Sequence, residues 1–402
     1  MSEQADDATA VLLAMADGTR HEVRARLRAG DPAAAARHLL DEVATRAGLA
    51  PGPPTEVTVQ FFLGLAGERI EFRALAGAGR FTIDPGTWDT PWVTVRQDLD
   101  ELLLALYGPP GGRHDATLSI HVNDEPGPAT WVDDPWLAAR EAATAAAHHV
   151  LRGLTPTRPD LTDLAVRFGS DKWGGHWYTR HYERHFAPLR EERVRVLEIG
   201  IGGYQAPDLG GGSLRMWKHY FRRGLVVGLD VFDKSGIREP RITTVQGRQE
   251  DAVFMAEVAR RQGPFDIVID DGSHLSSDVI ASFRTLFPLL NPGGLYVVED
   301  LSTSYWPGWG GDSEDRDNTR TSMGYFKSLA DGLNHQELYP PANGAVSDVE
   351  RAVVGMHIYH NIVFLEKGDN AEQPAPSWIS RTDNPADFMA SVFAADDRTR
   401  EG

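Results

Sequence analysis

Apolar positions recur along this chain at two different periods, and the change of period divides it. Between residues 31 and 47 (DPAAAARHLLDEVATRA) they fall at helical spacing behind an aspartate able to cap the first turn, which predicts a helix. EVTVQFFLGL (56–65) and ERIEFRALAG (68–77) read as two strands joined by an Ala-Gly turn, a hairpin. PWVTVRQDLDELLLALYG (91–108) predicts a strand leading into a helix, and an alanine-rich helix over about 136–153 closes this half.

The second half alternates. VRVLEIG (194–200) is a short apolar strand, followed by a glycine-rich loop and a helix at SLRMWKHYF (213–221). LVVGLD (225–230) and RITTVQG (241–247) are the next strands; a helix over about 250–262, FDIVIDDG (265–272), a helix over about 276–290 and GLYVVED (294–300) follow. Continuous apolar runs fit strands covered on both faces, and the helices between them supply the crossovers. The prediction is a doubly wound, Rossmann-like α/β sheet, whose ligands sit at the carboxyl ends of the strands. GMHIYHNIVFLEKG (355–368) predicts a closing hairpin around His360-Asn361, and the tail after Met389 is expected to fray. Two prolines in the stretch from Leu154 to Asp160 mark a linker. The expected division is a smaller α+β auxiliary domain over 1–154 and an α/β domain over 160–402.

Composition narrows the class. A chain of 402 residues, 41% hydrophobic and 24% charged, has room for two ordinary globular domains. No apolar run approaches the roughly 18 residues that span a bilayer, so no membrane partner is expected. The N-terminus opens with acids where a signal peptide would be basic. With no cysteine, disulfides and thiolate metal sites are excluded, and a cytoplasmic location is expected. A formal charge of −18 repels phosphate backbones, which argues against nucleic acid.

Candidate chemistry begins at Glu198-Ile199-Gly200-Ile201-Gly202-Gly203. Gly200 and Gly202 let the backbone approach a ligand, and Glu198 can hold a cationic amine. Asp230, at the tip of the next strand, is placed to accept both ribose hydroxyls. In a dinucleotide fold that acid lies about 20 residues past the glycines; here Tyr204–Gly212 lengthens the loop, and no third fingerprint glycine follows Gly203. NAD therefore yields to S-adenosylmethionine, although glycine-rich strand ends also make plain turns. Tyr204 and Ser213, at the two ends of the loop, join the cofactor set. Gln249 is positioned to touch the adenine edge, and equally fits a solvated helix start.

Asp270-Asp271-Gly272-Ser273-His274 ends one strand and Glu299-Asp300 another. If these strands are neighbours, their tips lie roughly 5 Å apart. Acids at both tips repel unless a cation joins them, and oxygen donors favour Mg²⁺ or Mn²⁺. Such an ion lowers the pKa of a bound oxygen acid, and His274 is the candidate base that removes the proton. Asp270 either contacts the cofactor or orients its neighbours. Two aromatic flanks, 168–186 and 302–312, offer faces to a sugar ring or a flat aglycone, or simply pack. His357, His360 and Asn361 are further candidates for the same mouth.

In combination, VRVLEIGIGGY (194–204), GGGSLRMWK (210–218), GPFDIVIDDGSH (263–274), PGGLYVVED (292–300), YWPGWGG (305–311) and IYHN (358–361) carry a resemblance. Over roughly 160–368 the chain resembles the metal-dependent sugar O-methyltransferases of antibiotic biosynthesis, in particular the mycinamicin (macrolide) group. The resemblance implies a class I methyltransferase sheet, Mg²⁺ on Asp271, Glu299 and Asp300, and His274 as proton acceptor. It also implies a homotetramer whose N-terminal domain helps build the neighbour's site, and a deoxysugar hydroxyl of a glycosylated polyketide as acceptor. Arg248 stands where the family member has an acid, a departure beside the cofactor set. The rivals are a metal-dependent phenol or catechol O-methyltransferase acting on the aglycone, an NAD-dependent oxidoreductase, and a silent cofactor-binding protein.

Overall fold

The computed structural model describes residues 2–112, 114–123, 134–155, 158–338 and 347–376, with a few positions between 386 and 393. Two compact units emerge, Met1–Arg248 and Gln249–Gly402. Pro156 and Thr157 of the expected linker, and most of the tail after Met389, lie outside the described residues.

The first unit opens with three helices, α1 (Ser2–Met15), α2 (Arg20–Ala29) and α3 (Pro32–Ala47). The Asp31 carboxylate accepts from the amides of Ala33 and Ala34, so α3 starts where its cap was expected. Strands β1 (Val57–Leu65), β2 (Glu68–Gly77), β3 (Arg80–Pro85) and β4 (Val93–Asp98) follow, then α4 (Leu99–Tyr107), β5 (Ser119–Val122) and α5 (Asp134–Leu154). Their sheet has the order β3-β2-β1-β4-β5. The β1–β2 hairpin pairs Leu65 with Glu68, and both turn residues, Ala66 and Gly67, take positive φ (52° and 91°), as a tight two-residue turn of this hand requires.

The same unit continues through α6 (Leu161–Phe168), α7 (Thr179–Phe186), β6 (Arg195–Ile199), α8 (Gly212–Tyr220), β7 (Leu225–Asp230) and β8 (Ile242–Gln246). β6, β7 and β8 run parallel in that order. Arginines from this stretch reach back to the N-terminal helices. All nine residues of α4 are buried, so its last carbonyls have no water to bond. Arg222 donates to the carbonyls of Ala105 (3.1 Å), Leu106 (2.9 Å) and Gly108 (2.9 Å), and Arg223 Nε to that of Tyr107 (2.8 Å). Cations there also complement the negative end of the helix dipole.

Beside them, Glu42 of α3 accepts from Arg46 Nε (2.8 Å), Arg241 Nε (3.1 Å) and Arg241 Nη2 (2.8 Å). The second face of Arg241 donates to the carbonyls of Lys218, Phe221 and Gly224. Burial alone would raise the Glu42 carboxyl; Arg241 and Arg46 outweigh it and hold the group well below the usual carboxylate range.

The second unit contains α9 (Ala252–Gln262), β9 (Ile267–Asp270), α10 (Ser276–Leu286), β10 (Leu295–Val298), α11 (Ser322–Gly332), α12 (Asp348–Ala352), β11 (Val353–Tyr359) and β12 (Ile362–Lys367). Its strand order is β11-β12-β10-β9. β9 and β10 are parallel neighbours with Asp270 opposite Val298, which meets the condition set for the acidic strand tips. The expected closing hairpin is β11–β12, with Tyr359 paired to Ile362. Among the described residues no helix is long and apolar enough to cross a membrane.

Candidate active site

In the first unit the chain leaves β6 through Gly200 (φ 94°) and Gly202 (φ 74°). The loop then folds back on itself. A Cβ on Gly210 would stand 2.3 Å from the Gly202 carbonyl oxygen, so a side chain there would force the two arms apart. Gly211 N closes the loop onto the Ile201 carbonyl at 2.8 Å, and buried Lys234 pins it through the carbonyls of Ala206 and Leu209. Tyr204, in the loop with φ 45°, is exposed.

Asp230 ends β7 with its carboxylate already oriented. Oδ2 accepts from Ile201 N and Oδ1 from Phe232 N, both at 2.9 Å. Each oxygen of a carboxylate has a further acceptor position, which suits a pair of vicinal hydroxyls. Glu198 is fully buried; Ser213 Oγ donates to its Oε2 at 2.8 Å, and Lys172 Nζ lies 3.2 Å from its Oε1. Lys172 is itself fully buried, and no spacing rule in the sequence tied it to Glu198. The acid expected to hold a cationic amine therefore already has a cation beside it.

In the second unit Asp270 is 1% exposed and tightly held. Gln249 Nε2 donates to both its oxygens (3.0 and 3.3 Å), and Ser282 Oγ donates to Oδ2 at 2.5 Å. Burial pushes the Asp270 carboxyl up to about 6, against the pull of these hydrogen bonds. Gln249 Oε1 accepts from Ser273 N at 2.7 Å, so one buried amide ties the tip of β9 to the loop that carries His274. Of the two roles open to Asp270, this geometry supplies orientation.

Ligand atoms of Asp271, His274 and Asp300 lie within 4.8 Å of one another. His274 Nε2 is 4.0 Å from Asp271 Oδ1 and 3.8 Å from Asp300 Oδ2. Both His274 and Asp300 take φ 56°, a left-handed backbone that costs an ordinary residue about 1–2 kcal/mol. Strain of this kind persists where surrounding contacts over-determine it, as at functional sites. Glu299, the third expected carboxylate, is 2% exposed, and its amide donates to the Asp270 carbonyl at 3.0 Å. The carboxylates of Asp271 and Asp300 supply oxygen donors that fit a hard divalent cation, and the His274 imidazole stands beside them.

Of the hairpin candidates, Asn361 Nδ2 donates to Asp300 Oδ1 at 3.1 Å, whereas His357 Nε2 lies 2.9 Å from Glu366 Oε1. The aromatic flanks divide by burial. Tyr182 and Phe186 pack against Trp217, while Trp173 and Trp177 stay exposed and meet edge to face at 4.8 Å. After Asp300, Trp306 and Trp309 are exposed with ring centroids 5.5 Å apart.

The family model "MycE methyltransferase N-terminal" matches residues 9–118. The chain is 45% identical over 393 residues to demethylmacrocin O-methyltransferase of Streptomyces fradiae, covering 96% of each. It is 42% identical over 399 residues to mycinamicin VI 2''-O-methyltransferase of Micromonospora griseorubida, covering 97% of each. The chain belongs to the sugar O-methyltransferases of antibiotic biosynthesis. A solved structure of the MycE methyltransferase, in complex with Mg, SAH and mycinamycin VI, matches with a TM-score of 0.83 at 39% identity, covering 96% of this chain and 99% of that one. As a sugar O-methyltransferase the protein has the expected fold class, an N-terminal α+β domain with a mixed, seven-stranded Rossmann-like sheet. It is an S-adenosylmethionine-dependent O-methyltransferase, and the oxidoreductase alternative falls away.

Proposed function

We propose that this O-methyltransferase transfers the methyl group of S-adenosylmethionine to a deoxysugar hydroxyl of a glycosylated polyketide antibiotic, with Mg²⁺, or Mn²⁺ in its place, held by Asp271, Glu299 and Asp300. The observation that carries the reading is the convergence of Asp271, His274 and Asp300 on strained backbone beyond the tips of β9 and β10. Kinship to enzymes that methylate glycosylated macrolides supports the acceptor class.

In this reading Gly200 and Gly202 admit the cofactor to the backbone, and Asp230 takes its ribose hydroxyls. Glu198, Tyr204 and Ser213 complete its surroundings, and Gln249 and Asp270 hold the loop that carries His274. The ion, when bound, lowers the pKa of the acceptor hydroxyl. His274 Nε2 receives the hydroxyl proton as the oxygen attacks. The O–CH₃ bond forms as the S–CH₃ bond breaks; its electron pair stays on sulfur, leaving neutral S-adenosylhomocysteine. Residues 1–154 act as the auxiliary and oligomerisation domain, residues 160–402 as the methyltransferase domain, and the assembly is a cytoplasmic homotetramer without nucleic-acid or membrane partners. The −18 charge supports the exclusion of nucleic acid, and light scattering tests the tetramer.

The experiment is methyl transfer from labelled S-adenosylmethionine to a panel of glycosylated polyketides and their aglycones, with Mg²⁺ or with chelator. Labelling confined to glycosides and lost with chelator is expected. Labelling of bare aglycones would move the assignment to a phenol-type acceptor. Asp271→Asn is expected to remove the response to added Mg²⁺; a variant as metal-responsive as the parent would rule Asp271 out as a ligand. Asp230→Ala is expected to weaken cofactor binding about 10- to 150-fold, the worth of one hydrogen bond to a charged acceptor. Calorimetric titration with S-adenosylhomocysteine measures it, and an unchanged affinity would remove Asp230 from the cofactor set.

A further inference from the structure

Asn361 sits in the β11–β12 turn with φ 69°, a backbone that glycine adopts more cheaply. Glycine and asparagine both serve a turn of this kind, so the turn alone does not choose between them. Its side chain and carbonyl instead grip three consecutive residues of the acidic strand end. Nδ2 donates to Asp300 Oδ1 at 3.1 Å, Oδ1 accepts from Ser302 N at 2.5 Å, and the main-chain oxygen accepts from Leu301 N at 3.2 Å. The amide orientation follows from the partners, because a backbone N–H needs an acceptor and a carboxylate needs a donor.

The grip has a direction. Asn361 engages Oδ1 of Asp300, and Oδ2 is the oxygen that stands 3.8 Å from His274 Nε2. Rotating the carboxylate would exchange the two oxygens or carry both off the cluster. Asp300, like His274, takes a left-handed conformation (φ 56°), and contacts from outside its own strand help to hold it there. Mg²⁺ demands near-ideal octahedral geometry, and partners that orient its ligands change affinity by about 10–100-fold.

We propose that Asn361 is a positioning residue: from the β11–β12 turn it fixes the rotation of the Asp300 carboxylate and thereby sets the affinity for the divalent ion. This rests on the reading of Asp300 as a metal ligand. Two substitutions separate the side chain from the backbone. Asn361→Gly keeps the left-handed turn and removes both side-chain bonds. Asn361→Asp keeps an acceptor for Ser302 N and turns the donor facing Asp300 into a like charge.

The test is Mn²⁺ binding to the full-length protein, followed by the electron paramagnetic resonance of the free ion, with S-adenosylhomocysteine affinity and thermal midpoint measured alongside. Asn361→Gly is expected to weaken Mn²⁺ binding about tenfold or more, and Asn361→Asp further, with cofactor affinity and midpoint retained. For Asn361→Gly, saturating Mg²⁺ should restore most of kcat. Wild-type Mn²⁺ affinity in both variants overturns the proposal. Parallel loss of cofactor affinity and thermal midpoint also overturns it, since the turn would then be a general support. If the wild-type protein itself binds no Mn²⁺, the metal reading fails at Asp300 and this inference falls with it.

Discussion

His274→Ala is expected to lower kcat by about 10²–10⁴-fold, the usual worth of a positioned general base, with affinity for S-adenosylhomocysteine retained. His274 takes a left-handed backbone (φ 56°), and its Nε2 lies 4.0 Å from Asp271 Oδ1 and 3.8 Å from Asp300 Oδ2. Alanine tolerates φ 56° poorly, so a shifted loop would add to the loss in that variant. The substitution His274→Asn avoids that ambiguity, because asparagine accepts a left-handed backbone while lacking the base; it is expected to be as slow as His274→Ala. Single-turnover methyl transfer with saturating cofactor and Mg²⁺ reads the chemical step directly. Near-normal rates in both variants would remove His274 as the base.

The second large effect is on stability. Glu42→Ala leaves Arg241 and Arg46, both buried, without their shared carboxylate. Breaking a buried ion pair from one side costs about 3–5 kcal/mol. For a unit the size of Met1–Arg248 that corresponds to a fall in Tm of roughly 6–20 °C. Glu42→Gln should fall between, since it keeps the volume and one acceptor but not the charge. The pH dependence has a definite sign. The folded-state pKa of Glu42 is depressed, so its contribution is present above the unfolded carboxyl pKa of about 4.3 and is lost as pH falls below it. The gap in Tm between wild type and Glu42→Ala should thus be steady near neutrality and narrow only in acid. Melts followed by circular dichroism measure it, and a Glu42→Ala protein melting with the wild type would mean that the pair contributes nothing net.

Much of this architecture was legible from the pattern of apolar positions. β6, β7, β9 and β10 lie where continuous apolar runs placed them, because strands covered on both faces carry little else. α2 was missed, as only Val23 and Leu27 of its ten residues are buried. A capping box formed by Thr19 and Glu22 was its available signal. β5 is four residues of alternating partial exposure, too short for a period to register.

The site was legible in residue type and less so in partnership. Spacing brought Asp271, His274, Glu299 and Asp300 to neighbouring strand tips, and the structure gathers ligand atoms of three of them, Asp271, His274 and Asp300. Gln249 fits an adenine edge or a solvated helix start by its place after a strand; its bonds to Asp270 and to the loop at Ser273 join separate segments and leave no local pattern. The Lys172–Glu198 pair and the Asn361–Asp300 bond join distant segments, and such pairings are set by tertiary packing rather than by local period.

The arginine clasp around Glu42 also bears on how the chain is made. Arg241 is synthesised 199 residues after the carboxylate it pairs with. At about 5–20 residues per second, a ribosome takes roughly 10–40 s to cover that distance. Throughout that interval α3 carries an acid meant for the interior, and the carbonyl end of α4 still awaits Arg222 and Arg223. The N-terminal half therefore cannot reach its final packing during its own synthesis; it completes only when the nascent chain has passed β7.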